Sequence, residues 1–288
     1  MPWRHLTDPN DHQLDELAER HHLHPLHIED CRHRRQRVKL DETPQYVFIV
    51  LKAVDKNSES ELDFSELDIF VGADFCITVE DGECRAISRA VESAKRLADP
   101  ERPDQIFYRL IDAIVDSYLP LIDDINDRID VLEDIVIAQP SPEVVQQILA
   151  LKRSLIGLRR VLVNTRDVSV EVQRQSGSLI GQDLAPFLRD VYDHVISNLD
   201  LVEMQRDLLS GTLDVYLSSL ANRTNNVMKV LTVLSTIALP SIVISGIYGM
   251  NVKGIPYLSS PHAMWVVGGL MVGTTAVLLG VLKKFGWF

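Results

Sequence analysis

With 288 residues, the chain has room for one sizeable domain and a smaller appended part. Its formal charge is −12, yet from Met228 onward the only charged residues are Lys229, Lys253, Lys283 and Lys284, which leaves 25 basic and 41 acidic side chains, a charge of −16, before that point. A segment this acidic repels phosphate backbones and gathers cations, which argues against nucleic acid as a partner; no P-loop and no nucleophile, base and orienter set stands out, so catalysis is not expected either.

The first twenty residues are polar, so no secretory leader is predicted. A helical pattern over 13–21 is followed by runs rich in Val, Ile and Phe at 46–54, 67–71 and 75–79, which read as strands. Residues 1–102 are therefore expected to form a small cytoplasmic α/β domain. Cys31, Cys76 and Cys84 lack paired spacing and read as reduced thiols rather than as a disulfide framework or a zinc ribbon. His21, His22, His24, His27 and His33 need no zinc in a polar segment, and the basic run 32–37 reads as solvated surface or an interface.

After Pro103 long helices take over. Residues 103–182 are expected to form a helical hairpin, with helices over 104–137 and 141–173 broken by Gln139-Pro140-Ser141-Pro142. Beyond a linker at 177–182, Pro186 stands where a helix can start and no further proline occurs until Pro240, which predicts one helix over 183–252. At 1.5 Å per residue it would run on the order of 100 Å, so it needs company, and a bundle of identical helices supplies it.

Residues 230–252 and 263–282 carry no charge, and each run is long enough to cross a hydrocarbon core of about 30 Å. The first transmembrane helix is expected at about 230–250, an outer loop at 253–262 with Gly254, Pro256 and Pro261, the second transmembrane helix at 263–282, and a short tail at 283–288. Arg223 and Lys229 before the first span and Lys283 and Lys284 after the second, against a lone Lys253 between, predict a multi-pass protein of the inner or plasma membrane with both termini cytoplasmic.

Along the first span Asn225, Met228, Thr232, Ser235, Leu239, Ile242, Gly246 and Gly249 recur at alternating steps of three and four. In lipid such a mixed stripe needs either helix partners or water, and on pattern alone a dry interface fits as well as a pore lining.

Tyr248-Gly249-Met250-Asn251 closes that helix. With a second, shorter span after it, the motif resembles the signature of the CorA family of Mg2+ channels. The resemblance extends through His24-Pro25-Leu26-His27-Ile28-Glu29-Asp30, Leu110-Ile111-Asp112-Ala113 and Phe187-Leu188-Arg189-Asp190-Val191-Tyr192-Asp193-His194 to the closing Lys283-Lys284. It implies a homopentameric funnel that conducts Mg2+, and also Co2+ or Ni2+, through the lipid bilayer. Tyr248, Gly249, Met250 and Asn251 would form the selectivity filter. Neutral amide oxygens suit an ion that sheds water reluctantly, because they can accept hydrogen bonds from its hydration shell and still release it.

By the same resemblance Asn225, Met228, Leu231, Thr232, Ser235, Leu239 and Ile242 would line or gate the pore. Asp30 and Asp190, with Glu29 and Asp112 nearby, would bind regulatory Mg2+ between neighbouring subunits; the plain reading of Asp190 is a helix pair with His194. No organic cofactor is implied. Two features depart from the family pattern. The chain opens close to the family's first aromatic position, here Trp3, which predicts a smaller sheet, and the loop at 252–256 lacks an acid, as in the zinc-transporting ZntB branch. The alternatives are thus a Zn2+ transporter and, from another class, a membrane-anchored helical scaffold or sensor.

Overall fold

The computed structural model describes residues 3–33, 36–56, 62–80, 82, 84–96, 102–138, 140–174, 179–250, 255, 256 and 260–286. The described chain divides into two compact units, residues 1–215 and 216–288.

The first unit is built on a five-stranded sheet of order β1-β5-β4-β3-β2. Its strands are β1 (Trp3–Leu6), β2 (Lys39–Glu42), β3 (Tyr46–Lys56), β4 (Leu62–Gly72) and β5 (Cys76–Glu80). Only β1 and β5 pair parallel; the other pairings are antiparallel. The three Val-, Ile- and Phe-rich runs are the central strands β3 to β5. The edge strands β1 and β2 carry no such pattern, and β2, Lys-Leu-Asp-Glu, owes its register to β3.

Both faces of the sheet are covered, which explains why β3 reads as a nearly unbroken apolar run. Tyr46, Phe48, Val50, Phe70, Ile77 and Val79 pack with Leu14, Leu17, Ile28 and Cys31 of α1 (His12–His21) and α2 (Pro25–Arg32). The alternate residues Val47, Ile49, Leu51 and Ile69 are as deeply buried, on the side taken by α3 (Arg85–Arg96) and α4 (Pro103–Asp116). Local chemistry sets the helix starts. The Asp11 carboxylate accepts from the Gln13 N–H at 2.9 Å, and the His24 ring accepts from Leu26 N–H with Pro25 in the first turn.

The single helix expected over 104–137 is two helices, α4 and α5 (Tyr118–Ala138). Pro120 has no N–H to offer the Asp116 carbonyl, and its ring disfavours helical geometry at Leu119, so the chain breaks at Ser117, whose hydroxyl donates to the Ile114 carbonyl at 2.6 Å. Helix α6 (Pro142–Arg174) follows, then a 3-10 turn at Gln182–Leu184 and α7 (Ala185–Tyr248). Within the first unit, Asn198 and Gln205 of α7 are buried and donate to the Val115 and Ile122 carbonyls at 3.5 and 2.7 Å, while Thr212 donates to the Glu133 carboxylate at 3.1 Å. These groups, seven apart, fix the register of α7 against its neighbours.

The second unit contains the rest of α7 and α8 (Ala263–Lys284). Helix α7 continues through Pro240, which leaves the Thr236 carbonyl without its helical donor; the Thr236 hydroxyl donates to the Thr232 carbonyl at 2.8 Å.

Candidate functional site

Helices α7 and α8 are both long and apolar enough to cross a membrane. None of the residues of α8 is buried, so it is not the core helix of a soluble domain. On α7 the stripe read from the sequence is open. Met228, Leu231, Leu239 and Ile242 are 55%, 56%, 63% and 64% exposed, Asn225 and Ser235 are exposed, and Thr232 is half-buried. Thr232 spends its hydroxyl hydrogen on the Met228 carbonyl at 2.8 Å, which leaves oxygen lone pairs to face outward.

The motif ends the helix in a way that calls for glycine. The Gly249 N–H donates to the Ser245 carbonyl at 2.8 Å, and a Cβ on residue 249 would stand 2.8 Å from that same backbone oxygen. Met250 N–H donates to Ile247, Met250 is exposed, and Tyr248 is half-buried. Asn251, the residue on which the filter reading turns, lies outside the described residues, as do Val252, Lys253 and Gly254 of the acid-free loop.

The carboxylates expected to bind regulatory Mg2+ fall into two groups in the first unit. Asp112 on α4 and Asp190 on α7 share a neighbourhood with Asp116 and His194. The His194 ring lies 3.3 Å from the Asp116 carboxylate and 3.9 Å from Asp190, so the helix pair of Asp190 and His194 is present. Burial first, then the negative charge of Asp116 and Asp190, raises the Asp112 pKa above the usual carboxylate range, with His194 opposing. The same acids, after burial, push Tyr108 up. Asp116 was missed in the sequence, although it stands one helical turn after Asp112 on the same face.

Asp30 is held elsewhere. Lys39 donates to it at 2.7 Å and also contacts Asp41 at 2.7 Å, while Glu29 is exposed beside His33 at 3.9 Å. Within one chain Asp30 thus has a fixed counter-charge, and no contact joins it to Asp190 among the described residues. Nor do any three His, Cys, Asp or Glu side chains among them converge closely enough to hold a metal ion. His27 and Cys31, one turn apart, are engaged separately: the His27 ring bonds the Tyr46 hydroxyl at 2.9 Å and the Cys31 thiol bonds Asp68.

A sheet-based domain followed by the unburied apolar end of α7 and by α8 fits the architecture of an integral membrane protein. The family described as CorA-like Mg2+ transporter protein matches over residues 1–284. The cobalt/magnesium transport protein CorA of Thermotoga maritima is 38% identical over 270 residues, 92% of this chain and 77% of that one. The complete CorA magnesium transporter of Methanocaldococcus jannaschii superimposes with a TM-score of 0.87 at 24% identity, covering 99% of this chain and 91% of that one. The ZntB cytoplasmic domain of Vibrio parahaemolyticus shares the fold over 76% of this chain and 88% of that one, with a TM-score of 0.64 at 12% identity. The chain belongs to the CorA family, and it is a divalent-cation transporter rather than an enzyme.

Proposed function

We propose that the chain is one subunit of a homopentameric channel in the inner or plasma membrane that admits Mg2+ to the cytoplasm, with both termini on the cytoplasmic side. The observation that carries this reading is the stripe from Asn225 to Gly249, which mixes polar and apolar side chains along one face of an α7 segment that finds little cover in its own chain. Lipid would satisfy the apolar members of the span but not Ser235. Five copies around a shared axis give both kinds a role: Thr232 and Ser235 offer oxygens to hydrated ions, and Met228, Leu231, Leu239 and Ile242 narrow the path and exclude water when closed. Tyr248, Gly249, Met250 and Asn251 form the outer mouth, with a ring of Asn251 amides that accepts hydrogen bonds from coordinated water. Co2+ and Ni2+ are the accompanying substrates; the cobalt and magnesium in the name of the 38% identical relative support Co2+ beside Mg2+.

Influx needs no nucleotide hydrolysis, since 100 mV supplies about 2.3 kcal/mol per charge and hence about 4.6 for a divalent ion. Regulation is assigned to the carboxylates Asp190, Asp112, Glu29 and Asp30. Like charges across a subunit boundary repel until Mg2+ neutralises them, so internal Mg2+ favours one symmetric, closed arrangement. The raised pKa of Asp112, due first to burial and then to Asp116 and Asp190, supports the site, because a half-buried carboxylate beside other acids gains from a cation. Purified protein in vesicles tests the channel reading: Asn251→Ala is expected to abolish divalent uptake while the assembly survives. Wild-type vesicles that pass no divalent ion would instead favour the membrane-anchored scaffold.

A further inference from the structure

The first unit also contains a cationic groove, one end of which includes Lys39, the counter-charge of Asp30. Two adjoining cavities of about 310 and 270 Å³ lie between the segment leading into β2 and helix α6, and they share Arg37, Val38 and Asn164. The larger cavity is walled by Arg37 on one side and Arg160 and Asn164 of α6 on the other, with Lys52 and Phe64 from the sheet. Lys52 and Glu66 face each other across β3 and β4, with the ammonium 3.2 Å from the carboxylate. Arg37 and Arg160, by contrast, form no ion pair among the described residues, and no carboxylate lines this cavity. Gly157 lets α6 lie close to the sheet here: a Cβ at that position would meet the Phe64 ring at 2.8 Å.

Lys52 is matched by Glu66, but Arg37 and Arg160 meet here without a carboxylate on the wall, which is unusual in a portion of the chain that carries −16. Their mutual repulsion is relieved by a multivalent anion, and guanidinium groups from opposite walls suit the paired oxygens of phosphate. The adjoining cavity differs in character. Leu40 and Val168 give it apolar surface, and Asp167 and Glu171 bring acceptors suited to hydroxyl or amino hydrogens. Arg166 pairs with Asp167 at 2.8 Å and leaves its other oxygen open to a ligand.

The geometry points to a nucleoside diphosphate as the occupant, with its phosphates between Arg37, Arg160 and Lys52 and its nucleoside in the adjoining cavity against Asp167 and Glu171. This site is separate from ion conduction, so its test does not depend on transport. Full-length protein in detergent, with EDTA present to remove divalent ions, is titrated calorimetrically with ADP and with inorganic pyrophosphate. Saturable ADP binding at one per subunit is expected, weakened by added salt and reduced at least about tenfold by Arg160→Gln, the loss typical of a hydrogen bond to a charged group. Pyrophosphate should bind more weakly than ADP, and Asp167→Asn should narrow that gap without touching pyrophosphate. Arg160 is exposed, so its replacement does not threaten folding, and an unchanged far-ultraviolet circular dichroism spectrum checks this. The inference is overturned if neither probe binds at millimolar concentration, or if binding is indifferent to Arg160→Gln. Equal affinity for ADP and pyrophosphate overturns the nucleoside part. If Arg160→Glu changes the number of copies per particle while ADP never binds, the groove is a contact between subunits and the assignment fails.

Discussion

Two regions of the chain carry many large apolar side chains and treat them in opposite ways. In residues 1–215 Phe48, Ile49 and Phe70 have no exposure at all, covered by helices on both faces of the sheet. In residues 216–288 Leu239 and Ile242 are more than half exposed, and Met264 and Trp265 are 87% and 82% exposed. The first region finds partners for its apolar groups within its own chain, and its buried polar groups, such as Asn198 and Gln205, find backbone carbonyls. The second finds almost none among the described residues, and in the proposed channel lipid and further copies of the chain supply them. The contrast separates what folding of one chain achieves from what assembly must add.

Substitution in each region is the strongest way to break this contrast. Phe48→Ala removes a fully buried ring and is expected to cost about 3–5 kcal/mol. Leu239→Ala, on the open stripe, should stay within about 0.5 kcal/mol of wild type in thermal unfolding of the first region while altering ion flux. Comparable losses at both sites would mean that α7 is packed in a single chain after all.

A smaller effect tests the electrostatics of the first region. Burial above all, with Glu66 and Asp30 nearby and with Cys31 and Lys39 opposing, pushes Asp68 up to about 7 from the model-peptide 3.8. One of its oxygens has no hydrogen-bond partner. A carboxyl with a raised pKa in the folded state adds stability below its unfolded pKa, and that stability is lost as pH rises towards 7. Asp68→Asn should therefore be more stable than wild type at pH 8, by about 2 kcal/mol, with the gap closing at pH 4. Melting curves at the two pH values decide it, and a gap independent of pH would mean Asp68 does not titrate in this range.

The smallest expected effect concerns regulation. Asp30→Asn together with Asp190→Asn should shift inhibition of flux by internal Mg2+ a few-fold to higher concentration, in keeping with coupling of about 1–3 kcal/mol between sites. An unaltered inhibition curve would remove these carboxylates from gating. Because Lys39 already neutralises Asp30, most of the shift should come from Asp190.

Much of this was legible in the sequence, for physical reasons. The two spans announce themselves because a lipid-facing helix tolerates no charge, and β3 to β5 because a sheet covered on both faces is apolar throughout. Short edge strands leave no such trace: three of the four residues of β2 are charged, and only pairing with β3 makes them a strand. The division of α4 from α5 was visible in Pro120, since a missing N–H at one residue is felt four residues earlier. Asp116 escaped because its part in the carboxylate group depends on α7 crossing α4 at that height, which periodicity within one helix cannot give. Likewise Asp30 reads as a free ligand until the fold supplies Lys39 from β2.

The central claim is that the open stripe of α7 faces water in the assembled protein. Cysteine substitution along residues 228–246, with a membrane-impermeant thiol reagent applied to vesicles during ion flux, tests it directly, and the native thiols Cys31, Cys76 and Cys84 are all buried and add little background. The account predicts modification and block of flux at Met228, Thr232, Ser235, Leu239 and Ile242, and silence at Val230, Leu234 and Ile237 between them. Labelling that ignores this period, or a stripe that never reacts while ions still pass, would contradict it.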